Sequence, residues 1–131
     1  MPTTFQWADN ERSIALTTIQ GHWTWEEFEA TNREFVQALH SVSHPVYCVT
    51  DLSDTHHLPP NALTHGARLM REMPDHVDCS IVIVKHAFIR SMSKLFTKMY
   101  RGKHVFIMVG TMEEAEQVIH ERMAALGQNK Y

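Results

Sequence analysis

Apolar residues change their period several times along this chain, and each change marks an element. Thr4–Trp7 and Ser13–Ile19 alternate as strands do and flank the polar run ADNERS, which predicts a hairpin ending at Gly21. In TWEE, Thr24 stands as an N-cap with Glu27 three residues on, the spacing at which each side chain satisfies the other's free backbone N–H. Trp25, Phe28, Phe35 and Leu39 then recur near a helical period, with Asn32 interrupting the stripe. Pro45 ends that helix around 41–44, because the residue before a proline avoids helical backbone. Val46–Thr50 reads as a strand, followed by the polar stretch DLSDTHHLPPNA over 51–62. A second helix is predicted from Pro60 or Asn61 to about Glu72, with Leu63, Ala67 and Met70 inward. CSIVIV (Cys79–Val84) is a nearly continuous apolar run, the mark of a strand covered on both faces.

The third helix spans about Ala87–Tyr100 with Phe88, Met92, Leu95, Phe96 and Met99 on one side, and Gly102 stops it. VFIMV (Val105–Val109) is predicted as another covered strand, and TMEE repeats the capping signal with Thr111 and Glu114 before a helix through about Leu126. The order β-β-α-β-α-β-α-β-α predicts one α/β domain over 1–131. Its sheet is mostly parallel, about five strands with an antiparallel strand at the start, and carries four helices and right-handed crossovers. Strand order does not follow from the pattern.

Composition agrees with a globular chain: 44% apolar and 21% charged residues over 131 positions. No apolar run approaches the roughly 20 residues of a membrane helix, and MPTTFQWADNERS lacks the basic and apolar regions of a secretory signal. Cys48 and Cys79 both fall inside strand-like runs, as buried reduced thiols do in a cytoplasmic protein. Net charge is −3, yet no acidic residue lies between Cys79 and Met112, where Lys85, Arg90, Lys94, Lys98, Arg101 and Lys103 all fall. Such asymmetry describes a surface facing a partner.

The strand ending VTDLS, the WTWEEF segment (Trp23–Phe28), the HPV…D-L-S strand (His44–Ser53), the Leu58-Pro59 loop and the capped helix TMEEAEQVI together resemble the SpoIIAA-like superfamily. That group contains the STAS domains (sulphate transporter and anti-sigma-factor antagonist) and is related in shape to Sec14-type lipid-binding modules; the likeness is nearest to small stand-alone bacterial members. It implies a SpoIIAA-like fold and a binding or regulatory role. The sigma-factor antagonists carry a phosphorylated serine in DSSG at the next helix start; here Pro59-Pro60-Asn61-Ala62 stands in that place without a hydroxyl, so the phospho-switch is not carried over.

Candidate chemistry concentrates in the polar loop and the basic helix. Asp51, Asp54, His56 and His57 are competent ligands for zinc or iron. Adjacent histidines seldom aim at one ion from a short turn, however, and no HExxH, HxH or CxxC spacing supports them, so no metal and no cofactor is assigned. Nor is there a G-x-S-x-G elbow, a phosphate-cradling glycine loop or an activated thiol, and no catalytic residue is assigned. The binding surface is placed on Asp51, Ser53, Asp54, His56, His57 and Asn61, with Arg90, Lys94 and Lys98 on one face of the third helix.

Two functional readings follow. The first is a non-enzymatic STAS-type interaction domain with a protein partner or a second copy of itself as a homodimer. Nucleic acid is disfavoured by the net negative charge and the lack of a recognition motif. The second is a carrier for a small apolar or lipid-like ligand, suggested by Met70, Met73, Met92, Met99 and Phe88 on the second and third helices and by the Sec14-like kinship. A metal-dependent enzyme built on the Asp51–His57 loop is the weakest reading.

Overall fold

A computed structural model describes residues 2–100, 102 and 104–127. They form strands β1 (Thr3–Trp7), β2 (Ile14–Gln20), β3 (Val46–Asp54), β4 (Val77–Ile83) and β5 (Val105–Val109) and helices α1 (Trp25–His40), α2 (Ala62–Arg71), α3 (Ala87–Met99) and α4 (Met112–Ala125), in the predicted order. The sheet runs β1-β2-β3-β4-β5; β1 pairs antiparallel with β2 and all other pairs are parallel. In the hairpin turn, Asp9 Oδ1 accepts the backbone N–H groups of Ser13 and Ile14 at 2.9 Å. Gly21, at φ +64°, turns the chain out of β2 and donates its N–H to the Asp54 carbonyl. Both threonine caps form: Thr24 accepts from the Glu27 N–H, with Glu27 reaching back to the Thr24 N–H, and Thr111 accepts from the Glu114 N–H.

Each β-α-β unit steps one strand in the same direction. Right-handed crossovers therefore put α1, α2 and α3 on one face and leave α4 to cover the other. Side-chain alternation sorts the core accordingly. Tyr47, Val49, Cys79, Ile81 and Ile83 pack with Ala115 and Ile119 of α4. Ile19, Leu52, Val82 and Val84 pack with Phe28 and Ile89, and Ala15 and Cys48 pack with Phe35 and Leu39. Arg122 of α4 forms an ion pair with Asp78 on β4, tying that helix to the sheet.

Several boundaries and faces differ from expectation. β3 extends past Thr50 to Asp54, so Asp51 and Ser53 belong to a strand: β2 continues alongside and supplies pairing partners for Asp51 and Asp54. β5 is an edge strand, and Val105 is exposed because only β4 flanks it. The predicted stripe of α3 divides. Phe96 is buried and Met92 partly so, whereas Phe88, Leu95 and Met99 are exposed; Ile89 and Ser93 take the inward face. Trp7 stands apart from Trp23, Trp25 and Phe28, packing edge-on against Phe5, which in turn meets Phe35.

Cys48 and Cys79 lie on neighbouring strands but on opposite faces, since Cys79 pairs with Tyr47 and Cys48 with Ser80; both are free and buried. Burial pushes both thiols up, Cys79 to about 12. Burial, reinforced by the Asp78 charge, raises Tyr47 to about 12. The folded chain thus holds protons that the unfolded chain releases from about pH 9 upward. Their contribution to stability is full below that pH and is lost as pH rises towards 12. The denaturant midpoint is expected to fall between pH 8 and pH 10.5, and an aromatic disulfide reagent at pH 8 should detect no thiol in folded protein and both after unfolding. Prompt reaction of the native thiols would contradict this burial.

Candidate functional site

Three of the strand positions facing α1–α3 carry small hydroxyl side chains where a large apolar residue would fill the layer: Thr17 on β2, Thr50 on β3 and Ser80 on β4. Thr17 and Thr50 are direct register partners, and Ser80 is one strand further on. Above them lies a cavity of about 180 Å³ bounded by the sheet and by α1, α2 and α3. An apolar cavity of about 150 Å³ holds a benzene molecule. Trp23, Trp25, Phe28, Phe96 and Phe106 form its aromatic walls, and Leu63, Leu69 and Met70 of α2, with Met73 just beyond that helix, form its roof. Asn32 of α1 and Ser93 of α3 are the other polar side chains in the lining, so the residue that broke the stripe of α1 faces this space.

α2 acts as the roof because it stands off the sheet. Met70 is its one buried residue, and its backbone approaches α3 rather than the strands. At the closest point Gly66 meets the Phe96 ring; a Cβ there would lie 3.2 Å from Phe96 Cε1, so glycine permits the approach. The other side is latched to α1. Trp25 donates its indole N–H to the Pro60 carbonyl at 2.7 Å and stacks on His65 with ring centroids 4.0 Å apart. Arg68 donates to Glu29 at 2.7 Å, a half-exposed pair of modest strength. These contacts tie α2 to α1 along its length, through the Pro60 carbonyl and His65 towards its start and Arg68 in its last turn.

The polar loop lies at the carboxyl ends of the parallel strands, where open α/β sheets place their ligand crevices. Asp51 and Ser53 are half-buried and occupied with each other: Asp51 Oδ1 accepts the Ser53 backbone N–H at 2.9 Å and its hydroxyl at 2.6 Å. Asp54, His56, His57 and Asn61 are exposed. His57 stacks on His22 at 4.3 Å and His56 meets His86 edge-on at 5.1 Å. These are pairwise ring contacts; among the described residues no three His, Cys, Asp or Glu side chains are arranged to hold a metal ion. His104 lies far away at the amino end of β5, its ring nitrogens 3.2 Å from the Val77 and Met73 carbonyls.

None of the nine residues singled out as a binding surface lines the cavity; from the stretch 51–62, Leu52, Leu58 and Ala62 do so. Arg90, Lys94 and Lys98 are exposed on α3, while Arg101 and Lys103 lie outside the described residues. Of the methionines and phenylalanine proposed for a groove, Met70, Met73 and Met92 border the cavity, and Met99 and Phe88 point away from it. Sequence reasoning passed over Thr17, Thr50, Ser80 and Ser93. The available signal was a small hydroxyl residue within a run otherwise apolar, which reads as ordinary strand composition until its neighbours are known. No helix among the described residues is long and apolar enough to cross a membrane. Compared with protein-family models, curated proteins and solved structures, the chain matches none.

Proposed function

We propose that this protein binds a small apolar or amphipathic molecule in the cavity beneath α2, as a binding protein or carrier. The observation that supports the reading is the cavity itself: about 180 Å³ with a predominantly apolar lining, in a layer where close packing is the rule. Its size suits a single ring or a short chain. Binding rather than turnover fits the lining, which contains no titratable side chain to serve as acid, base or metal ligand. The interaction-domain reading keeps the exposed Phe88, Leu95 and Met99 of α3, but nothing on that stripe identifies what covers it, so the cavity carries the proposal.

A ligand held only by the folded state raises stability in proportion to occupancy, by about 2.7 kcal/mol at a hundredfold excess over Kd. Ethylbenzene, a neutral ring of suitable size, is expected to raise the thermal midpoint of the purified full chain by several degrees, saturably. Native mass spectrometry of protein taken directly from cells should show a small co-purifying mass. No shift at ethylbenzene saturation would remove the proposal.

A further inference from the structure

The cavity is polar on one side and apolar on the other, and that division narrows the class of its occupant. Thr17, Thr50 and Ser80 stand on the inward face of β2, β3 and β4, and the next inward residue of each strand, Ile19, Leu52 or Val82, is apolar. Thr17 and Thr50 are register partners, so the three hydroxyls make one oblique row across neighbouring strands. Opposite them, every residue that α2 contributes to the lining lacks a polar side chain.

The row is unpartnered within the fold. Thr17 is 5% exposed and Ser80 7%, yet among the described residues neither hydroxyl has a hydrogen-bond partner, and the same is true of Thr50. Elsewhere buried hydroxyls are paired: Thr55 donates to the Ile19 carbonyl at 2.8 Å, and Thr3 and Thr31 bond each other at 2.6 Å. Nor are the three oxygens sealed in. Among the described residues, the Trp23 indole nitrogen is the one side-chain nitrogen or oxygen both unpartnered and out of reach of a water-sized molecule. The row is therefore open to such a molecule, and on the covered face of interior strands the space it opens on is this cavity. Water suits only part of that space, since a buried water needs about two to four polar partners and the α2 side offers none. An ionised group suits it less: no Asp, Glu, Lys, Arg or His lines the cavity to replace the lost hydration.

Resting on the ligand-binding reading above, we infer that the occupant is an uncharged amphiphile that sets a neutral oxygen against the Thr17, Thr50 and Ser80 hydroxyls and its ring or short chain beneath α2. A hydroxyl both donates and accepts, so the row pairs with an alcohol or a carbonyl oxygen alike. Register partners on adjacent strands lie about 4.8 Å apart, a spacing that lets one ligand oxygen meet two hydroxyls at hydrogen-bond distance. One neutral hydrogen bond corresponds to about a five- to tenfold change in affinity.

The test titrates the full chain at pH 7 with four molecules of similar size: benzyl alcohol, ethylbenzene, benzoate and benzylamine. Both neutral molecules are expected to bind, with benzoate and benzylammonium at least a hundredfold weaker than benzyl alcohol. The triple variant Thr17→Val, Thr50→Val, Ser80→Ala removes the hydroxyls and nearly keeps the shape. It should weaken benzyl alcohol at least five- to tenfold, while ethylbenzene holds or tightens. Should the triple variant fail to fold, the three substitutions are made singly, and at least one should weaken benzyl alcohol about five- to tenfold with ethylbenzene within about twofold. An equal effect on both neutral molecules, benzoate binding as tightly as benzyl alcohol, or ethylbenzene binding where benzyl alcohol does not would each overturn the inference while leaving the cavity as a binding site. Failure of both neutral molecules to bind would overturn the ligand-binding reading together with it.

Discussion

Replacing Ile81 by alanine is expected to cost about 3–5 kcal/mol and to lower the thermal midpoint by roughly 10–15 °C. Ile81 lies on β4 with Val49 and Ile107 as register partners on either side, and it is fully buried beneath α4. Truncation removes three methyl or methylene carbons from a filled layer whose neighbours are held by parallel strands and by the Arg122–Asp78 pair. The surroundings cannot collapse far, so the loss includes both the transfer free energy and the residual void. Against a typical total of about 5–15 kcal/mol, this is a large fraction. Urea unfolding should show a lowered midpoint with an unchanged slope. A loss below about 1 kcal/mol would mean that the α4 face is looser than these contacts imply.

Its neighbour in sequence should behave in the opposite way. Ser80→Leu adds apolar volume on the other face of the same strand, where the cavity supplies the room. The usual overpacking cost of about 1–3 kcal/mol applies to filled cores; here the midpoint is expected to hold or to rise. Binding of ethylbenzene should fall at least a hundredfold, because the added side chain takes the space of the ligand. Ser80→Ala, which keeps the space, should retain binding within a few-fold. Retained affinity in a folded Ser80→Leu protein would place the ligand elsewhere and count against the proposed function.

The contrast between these adjacent residues also shows what can be read from a chain before it is folded. Element order followed from local physics: the Thr24–Glu27 and Thr111–Glu114 spacings, the helical recurrence of Phe28, Phe35 and Leu39, and the nearly unbroken apolar run after Cys79. Short-range hydrogen bonds and burial periodicity act within a few residues, so they leave their mark directly in the sequence. The α3 stripe failed for a related reason. Phe88, Leu95 and Met99 are periodic and apolar, but periodicity names a shared side without saying whether anything covers it.

The candidate site was hardly legible. The conspicuous residues, His56 and His57 among them, draw the eye by chemical type, yet they pair with other rings at the surface. The cavity is a property of space between elements. It exists because a sequential strand order sends α1, α2 and α3 to one face, because Thr17, Thr50 and Ser80 are small where the sheet meets them, and because Gly66 and the Trp25 latch hold α2 above. The same holds for the Thr17 and Ser80 hydroxyls, whose lack of a partner becomes visible only once every neighbour is placed. By itself, then, the sequence determined the elements, their order and the parallel character of the sheet, since those arise from local hydrogen bonding and periodic burial. The tertiary structure alone decided the strand order, the covered faces and the cavity, since those depend on distances between residues far apart in the chain.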